Sequence, residues 1–148
     1  LITGRQLEHW HTGAMTRRAS VLDALEPAPT VSMHGDDLAR LGLQPGGCAR
    51  VQSRRGEVEL MVRRDDGTPP GSVFIPFAYR EAAANLLTNA ALDPFGKIPE
   101  FKYCAVRVAP VCSDQRPNAS ASVTCAVPLL RSNRHSSRPR RFFMCFCG

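Results

Sequence analysis

The sequence predicts one mainly-β domain, a compact barrel of about six short strands with short helices between them, followed by a tail. Three observations carry this. The chain has 148 residues, enough for a single domain with a hydrophobic core. Short apolar or alternating runs bounded by Gly, Pro and Asp recur through residues 1–110. Composition and charge then change abruptly near residue 110. The strands are brief and separated by irregular crossovers, which fits a barrel better than a sandwich.

The elements follow in order. "LITGR" is an apolar run ending in a turn, and reads as a strand. "ASVLDALEP" spaces Val21, Leu22 and Leu25 for a helix and stops at Pro27. "TVSM" is a β-branched stub. "GDDLARLGLQPGG" opens with acidic residues suited to a helix N-terminus, sets Leu38 and Leu41 three apart and offers Gly42 as a cap. "CARVQSRRGEVELMVRR" reads as two strands joined at Arg55-Gly56, with a positive φ expected at the glycine. Ala49, Val51 and Ser53 alternate there with Arg50, Gln52 and Arg54. "DDGTPPG" is a loop, and "SVFIPF" a strand with Pro76 near its end. "REAAANLLT" favours a helix, and "NAALDPFGKIPE" is irregular. "FKYCAVRVAP" reads as one closing strand, with Tyr103, Ala105 and Arg107 alternating against Cys104, Val106 and Val108.

Charge divides the chain at the same place. The net charge is +6. Residues 1–110 hold 13 Lys/Arg against 12 Asp/Glu, and residues 111–148 hold six Arg against one Asp. The body is nearly neutral, and the basicity belongs to the tail, which is expected to be an unstructured, solvated end. Four of the six cysteines lie in it, Cys112, Cys125, Cys145 and Cys147, with a spacing that fits no common zinc knuckle. Asn118-Ala-Ser120 matches a glycosylation sequon by short pattern only. Cys48 and Cys104 sit in strand-like apolar surroundings, where a buried thiol is ordinary. No apolar run approaches the length of a membrane span, and the N-terminus shows no secretory pattern. The chain opens on Leu1 and is expected to be part of a longer subunit.

One stretch does not fit a core. "TGRQLEHWHTGAMTRR", residues 3–18, gathers two histidines, the only tryptophan, two glycines, three arginines and three threonines. Alone, Thr-Gly-Arg is a common turn. His9 and His11 form a metal pair only on a regular strand, and no carboxylate or cysteine nearby completes the set. Arg17 and Arg18 read as a solvated face.

Three stretches in order, "LITGRQLEHWHTGAMTRR", "GLQPGGCARVQSRRGEVEL" and "GSVFIPFAYREAAANLLTNAALDPFGKIPEFKYCAVRV", resemble the C-terminal molybdopterin-dinucleotide-binding domain of molybdenum/tungsten oxidoreductases. The likeness is greatest to the catalytic (alpha) subunit of cytoplasmic, NAD-linked formate dehydrogenases. It covers residues 1 to about 109. It implies a double-psi β-barrel holding part of a bis(molybdopterin guanine dinucleotide) cofactor with molybdenum or tungsten. It implies contacts from Thr3, Gly4, Arg5, Gln6, Leu7, Glu8, His9, Trp10, His11 and Thr12, with Met15 and Thr16 beyond. Asn85, Phe101 and Lys102 fall on further family positions, and Phe77 on an aromatic near the active-site approach.

The residue types suit such a ligand. A pyrophosphate takes backbone N–H groups and cations: Gly4 allows close approach, Arg5 offers a planar fork and Lys102 a compact charge. The pterin edge alternates donors and acceptors, which His9, His11, Thr12 and Asn85 match. The resemblance further implies oxidation of formate to carbon dioxide, with electrons passing to iron–sulfur clusters and then NAD. The metal ligand, catalytic residues and clusters would lie outside this chain, with iron–sulfur and NAD/flavin-binding subunits as partners. No catalytic residue is expected here, and the chain alone is expected to be inactive. Two alternatives remain open: the same domain of a nitrate reductase, or a small binding module whose basic tail contacts nucleic acid. The body lacks the basic stripe and aromatic platform that the second requires.

Overall fold

The computed structural model describes residues 1–111. The expectations for the tail, its four cysteines, its sequon and its charge lie outside the described residues. Six strands form one mixed sheet: β1 (Ile2–Gly4), β2 (Thr30–Met33), β3 (Cys48–Gln52), β4 (Glu57–Arg64), β5 (Val73–Pro76) and β6 (Arg107–Pro110). Two short helices, α1 (Ser20–Leu25) and α2 (Gly35–Leu41), and two 3-10 turns, Thr16–Arg18 and Ala84–Leu86, connect them. The order across the sheet is β1-β5-β2-β4-β3-β6. β1 runs parallel to β5 and β2 parallel to β4, while β2/β5, β3/β4 and β3/β6 are antiparallel. No helix among the described residues is long and apolar enough to cross a membrane.

Sequence pattern accounts for most of this. β4 turns Val58, Leu60 and Val62 into the core and leaves Glu57 and Glu59 in solvent. Its partner β3 buries Ala49 and Val51, and Arg50 pairs across the strands with Glu59 at 2.7 Å. β2 lies between two strands and is buried at all four positions, as an interior strand should be. α2 has the expected glycine cap: Gly42 sits at φ 66°, and Leu43 N–H closes onto the Leu38 carbonyl. At its other end His34 Nδ1 accepts the Asp36 N–H at 3.1 Å. Leu38 and Leu43 anchor the helix against Val31, Leu60 and Ile75 in one core.

Three local expectations are corrected. Gly56 does not take a positive φ. The β3–β4 turn is built instead by Ser53, whose Oγ accepts the N–H of Arg55 at 3.0 Å and of Gly56 at 3.4 Å. Gly56 is needed for space, since a Cβ there would stand 2.9 Å from the Leu86 carbonyl oxygen. "REAAANLLT" forms only the turn Ala84–Leu86. Ala82, Ala84, Leu87 and Thr88 are buried there, and Ala82 falls off the stripe that Ala84, Leu87 and Thr88 would share on a helix.

"FKYCAVRVAP" is not one strand either; only Arg107–Pro110 is regular. Its first half bonds to β1. Thr3 N–H donates to the Lys102 carbonyl at 2.9 Å, Cys104 N–H to Leu1 at 3.1 Å, and the Leu1 amino group to Cys104 at 2.9 Å. Its second half pairs with β3. One segment therefore joins both edges of the sheet, which satisfies backbone groups that open edges would leave bare. Cys104, Val106 and Val108 face inward as the alternation requires, and Tyr103, Ala105 and Arg107 face out. Cys48 and Cys104 are half-buried.

Candidate functional site

The loop that the sequence singles out leaves β1 at Gly4 and doubles back before Thr16. Two left-handed residues turn it: His11 at φ 51° and Gly13 at φ 72°. The first is uncommon for a side-chain-bearing residue. The second admits only glycine, because a Cβ would stand 2.7 Å from the Ala78 carbonyl oxygen and 2.8 Å from Arg17 Cγ.

His9 fastens the loop from below. It is 1% exposed, with Nε2 2.8 Å from the Glu26 carbonyl and Nδ1 3.3 Å from Thr16 Oγ1. A carbonyl only accepts, so Nε2 carries a proton. Thr16 Oγ1 also accepts the Trp10 N–H at 3.1 Å. The Tyr79 hydroxyl donates to the same Glu26 carbonyl at 2.8 Å, and its ring meets His9 edge-on at 5.5 Å. Burial, then the neighbouring Glu26 charge, push the Tyr79 hydroxyl up to about 12. Glu26 is held below the usual carboxylate range by its 2.6 Å bond from Arg63, against the opposing effect of burial.

Arg17 fastens the loop from the side. Its guanidinium reaches Glu81 at 2.5 Å and Asp23 at 3.2 Å, and stacks over Tyr79 at 4.8 Å. The solvated reading therefore fails for Arg17: it ties the loop, α1 and the segment after β5 together. Arg18 beside it is exposed.

Between the loop and the segments after β5 lies a cleft of about 1300 Å³. Thr3, His11, Thr12, Phe77, Asn85 and Phe101 line it, drawn from three separated stretches of sequence. Phe77 and Phe101 meet edge-to-face at 6.1 Å, and the Thr3 hydroxyl donates to the Phe101 carbonyl. Gly4 is beside the cleft rather than in its lining, where a Cβ would press on the Phe74 ring at 2.8 Å.

The remaining expected residues stand elsewhere. Arg5 is exposed, donates to His11 Nε2 at 3.2 Å and lies over the Trp10 ring at 5.2 Å. Gln6 Oε1 lies 3.3 Å from the Tyr79 hydroxyl, whose proton goes to the Glu26 carbonyl, and the buried Gln6 Nε2 has no acceptor among the described residues. Glu8 is half-buried, while Leu7 and Met15 are exposed. Thr16 is used within the loop. Lys102 lies over the Phe101 ring at 5.2 Å. His9 and His11 do not form a ligand pair, since one ring is spent on Glu26 and the other on Arg5.

Sequence reasoning missed Gly13, Tyr79, Arg80, Glu81 and Thr88, all of which line the cleft. Gly13 was discoverable as a glycine inside a polar loop. The others follow "SVFIPF" and carry no pattern of their own.

The lining, mainly apolar with a few convergent polar and cationic groups, suits a ligand that joins flat rings to an anionic portion. It offers hydroxyls and an amide in Thr3, Thr12, Asn85 and Thr88, an aromatic wall in Phe77 and Phe101, and cations in Arg18 and Arg80. Its volume exceeds that of an ordinary small-molecule pocket, which is on the order of 300–1,000 Å³. A pterin joined to a nucleotide by a pyrophosphate fits this donor set.

A family model described as Molydopterin dinucleotide binding domain matches residues 1–105. The F420-dependent formate dehydrogenase subunit alpha of Methanocaldococcus jannaschii is 44% identical over 108 residues, which are 73% of this chain and 16% of that protein. The F420-dependent formate dehydrogenase 1 subunit alpha of Methanococcus maripaludis is 42% identical over 108 residues, with the same coverage of 73% and 16%. The chain thus matches about one-sixth of the length of these relatives. Acetylene hydratase from Pelobacter acetylenicus shares the fold, with a TM-score of 0.64 at 19% identity over 75% of this chain and 18% of that one.

Proposed function

The chain belongs to the Molydopterin dinucleotide binding domain family, and from that premise we propose that residues 1–110 close over a molybdopterin guanine dinucleotide as the C-terminal domain of a formate dehydrogenase catalytic subunit. One observation carries the reading most. Residues from three distant stretches, Thr3, His11 and Thr12, Phe77 and Asn85, and Phe101, meet in a single cleft. The joining of the sheet edges by residues 101–110 supports a double-psi barrel as its frame.

When bound, the cofactor supplies the metal centre, molybdenum or tungsten, at which formate is oxidised to carbon dioxide. This chain's residues bind and orient it. Thr3, Thr12, Asn85 and Thr88 supply neutral hydrogen bonds to pterin or guanine edges. Phe77 and Phe101 exclude water from one wall. His9 and Tyr79 act at one remove, because their bonds to the Glu26 carbonyl fix the loop that carries His11 and Thr12. Arg5, Glu8, Met15 and Lys102 belong to the rim that meets the rest of the subunit and the ends of the ligand, while Gln6 beside Tyr79 and Thr16 beside His9 hold the loop from within. Catalytic residues and iron–sulfur clusters are assigned to other parts of the enzyme, in the cytoplasm. The relatives named above are F420-dependent, which favours F420 over NAD as the final electron acceptor.

Trp10 is the only tryptophan, is 57% exposed and contacts Arg5 and His11. Saturable change of its fluorescence on titration with guanosine diphosphate is expected. An unchanged spectrum at millimolar ligand would refute the cleft as a nucleotide site. Formate oxidation by the purified chain would refute the assignment of catalysis to other domains.

A further inference from the structure

The arginines among the described residues differ in whether a carboxylate holds them. Arg17, Arg40, Arg50, Arg63 and Arg64 are each paired with a carboxylate. The side chains of Arg18 and Arg80, like those of Arg54, Arg55 and Arg107, form no ion pair or hydrogen bond among the described residues, but Arg18 and Arg80 are exposed on the wall of the cleft. Glu81 is the only carboxylate in that wall, and Arg17 already neutralises it. Three arginines against one glutamate leave the cleft with a surplus of two positive charges. Residues 1–110 as a whole carry a surplus of only one. The cleft wall thus carries positive charge that no carboxylate of its lining offsets, and its concave, partly apolar shape strengthens the field of that charge.

We infer that Arg18 and Arg80 form an oxyanion clamp whose ligand is the diphosphate of the dinucleotide, while Arg17, spent on Glu81 and Asp23, is a positioning residue. The inference rests on the function proposed above and assigns its charge recognition to residues other than Arg5 and Lys102. Arg5 leans on Trp10 and His11, and Lys102 on Phe101, outside the cleft lining. The two guanidinium forks come from separate chain segments, Arg18 beside the loop and Arg80 after β5, and both line the cleft, where planar forks suit the oxygens of a diphosphate. A small carboxylate such as formate shares the oxyanion chemistry and is the competing source.

The test is calorimetric titration of the full chain with inorganic pyrophosphate, guanosine diphosphate, guanosine and sodium formate. Arg18→Gln and Arg80→Gln are each expected to weaken pyrophosphate and guanosine diphosphate about five-fold, and the double variant about twenty-fold, with the effect shrinking in high salt. Guanosine affinity and the melting temperature should not move, because neither side chain holds the fold. Arg107→Gln, an exposed unpaired cation outside the cleft, controls for net charge and should leave all affinities unchanged. Arg17→Gln should lower the melting temperature. Wild-type pyrophosphate affinity in the double variant would overturn the clamp; if guanosine diphosphate then still binds, the cofactor assignment stands. Loss of formate binding alone in that variant would overturn the clamp in favour of a carboxylate funnel. No guanosine diphosphate binding by the wild-type chain would overturn both.

Discussion

Two glycines with the same backbone conformation separate strain from crowding. Gly42 and Gly13 sit at φ 66° and 72°. A Cβ at Gly42 meets nothing within 4 Å, so Gly42→Ala should cost the left-handed conformation alone, about 1 kcal/mol. A Cβ at Gly13 meets the Ala78 carbonyl oxygen at 2.7 Å and Arg17 Cγ at 2.8 Å. The first is backbone and cannot swing away. The second belongs to a side chain already tied to Glu81 and Asp23. Gly13→Ala should therefore cost about 3 kcal/mol, the same strain plus a displaced loop. At roughly 3 °C per kcal/mol for a chain of this size, the expected drops in melting temperature are about 3 °C and about 9 °C. Calorimetry and urea titration measure both. Guanosine diphosphate affinity should fall in Gly13→Ala and hold in Gly42→Ala, because only the first carries His11 and Thr12. Equal destabilisation by the two substitutions would refute the account of the loop as crowded against β5's continuation.

Three further substitutions test the hub beneath the loop and the buried carboxylate of α2. Tyr79→Phe removes one of two donors to the Glu26 carbonyl and should cost about 1 kcal/mol at neutral pH. Because folding raises the Tyr79 hydroxyl from 10.0 to about 12, its stabilisation is full below pH 10 and is lost as pH rises through 12; melting curves of Tyr79→Phe should be flatter over that window. Arg63→Gln removes the partner that depresses Glu26. That stabilisation is present above the carboxyl's ordinary 4.5 and fades as pH falls below it, so the variant should lose about 1 kcal/mol at pH 7 and show a smaller acid-induced drop than the wild type. Asp37→Asn should cost about 2 kcal/mol in urea titration, since Asp37 is 4% exposed and accepts from Gly71 N and Arg40 Nη2, both at 2.6 Å. A loss no larger than that of an exposed surface substitution would refute the role given to Asp37.

Much of the site was legible as composition. A sixteen-residue stretch poor in core residues and rich in Thr, Arg and His stands out as a loop outside the core, and its Thr3, His11 and Thr12 line the cleft. What composition could not separate was which side of the loop each residue serves. His9 and His11 are two residues apart, yet one is buried beneath the loop and the other opens to the cleft. The left-handed turn at His11 and Gly13 makes that division, and it depends on contact with Ala78.

The same boundary runs through the whole fold. Residue patterning determined the strands, because alternation such as Val58, Leu60 and Val62 against Glu57 and Glu59 has one low-energy placement relative to a core. It also determined the glycine-capped helix α2, whose signals are local in sequence. Only the tertiary structure decided that residues 101–110 split between two sheet edges, that "REAAANLLT" stops at one turn, and that Arg17 is a strut while Arg18 and Arg80 stay unpaired. Each of these turns on partners from β1, β3, α1 or the segment after β5. Hydrogen bonds and charges act across a few ångströms of space, and sequence position carries no record of which distant residue will stand there.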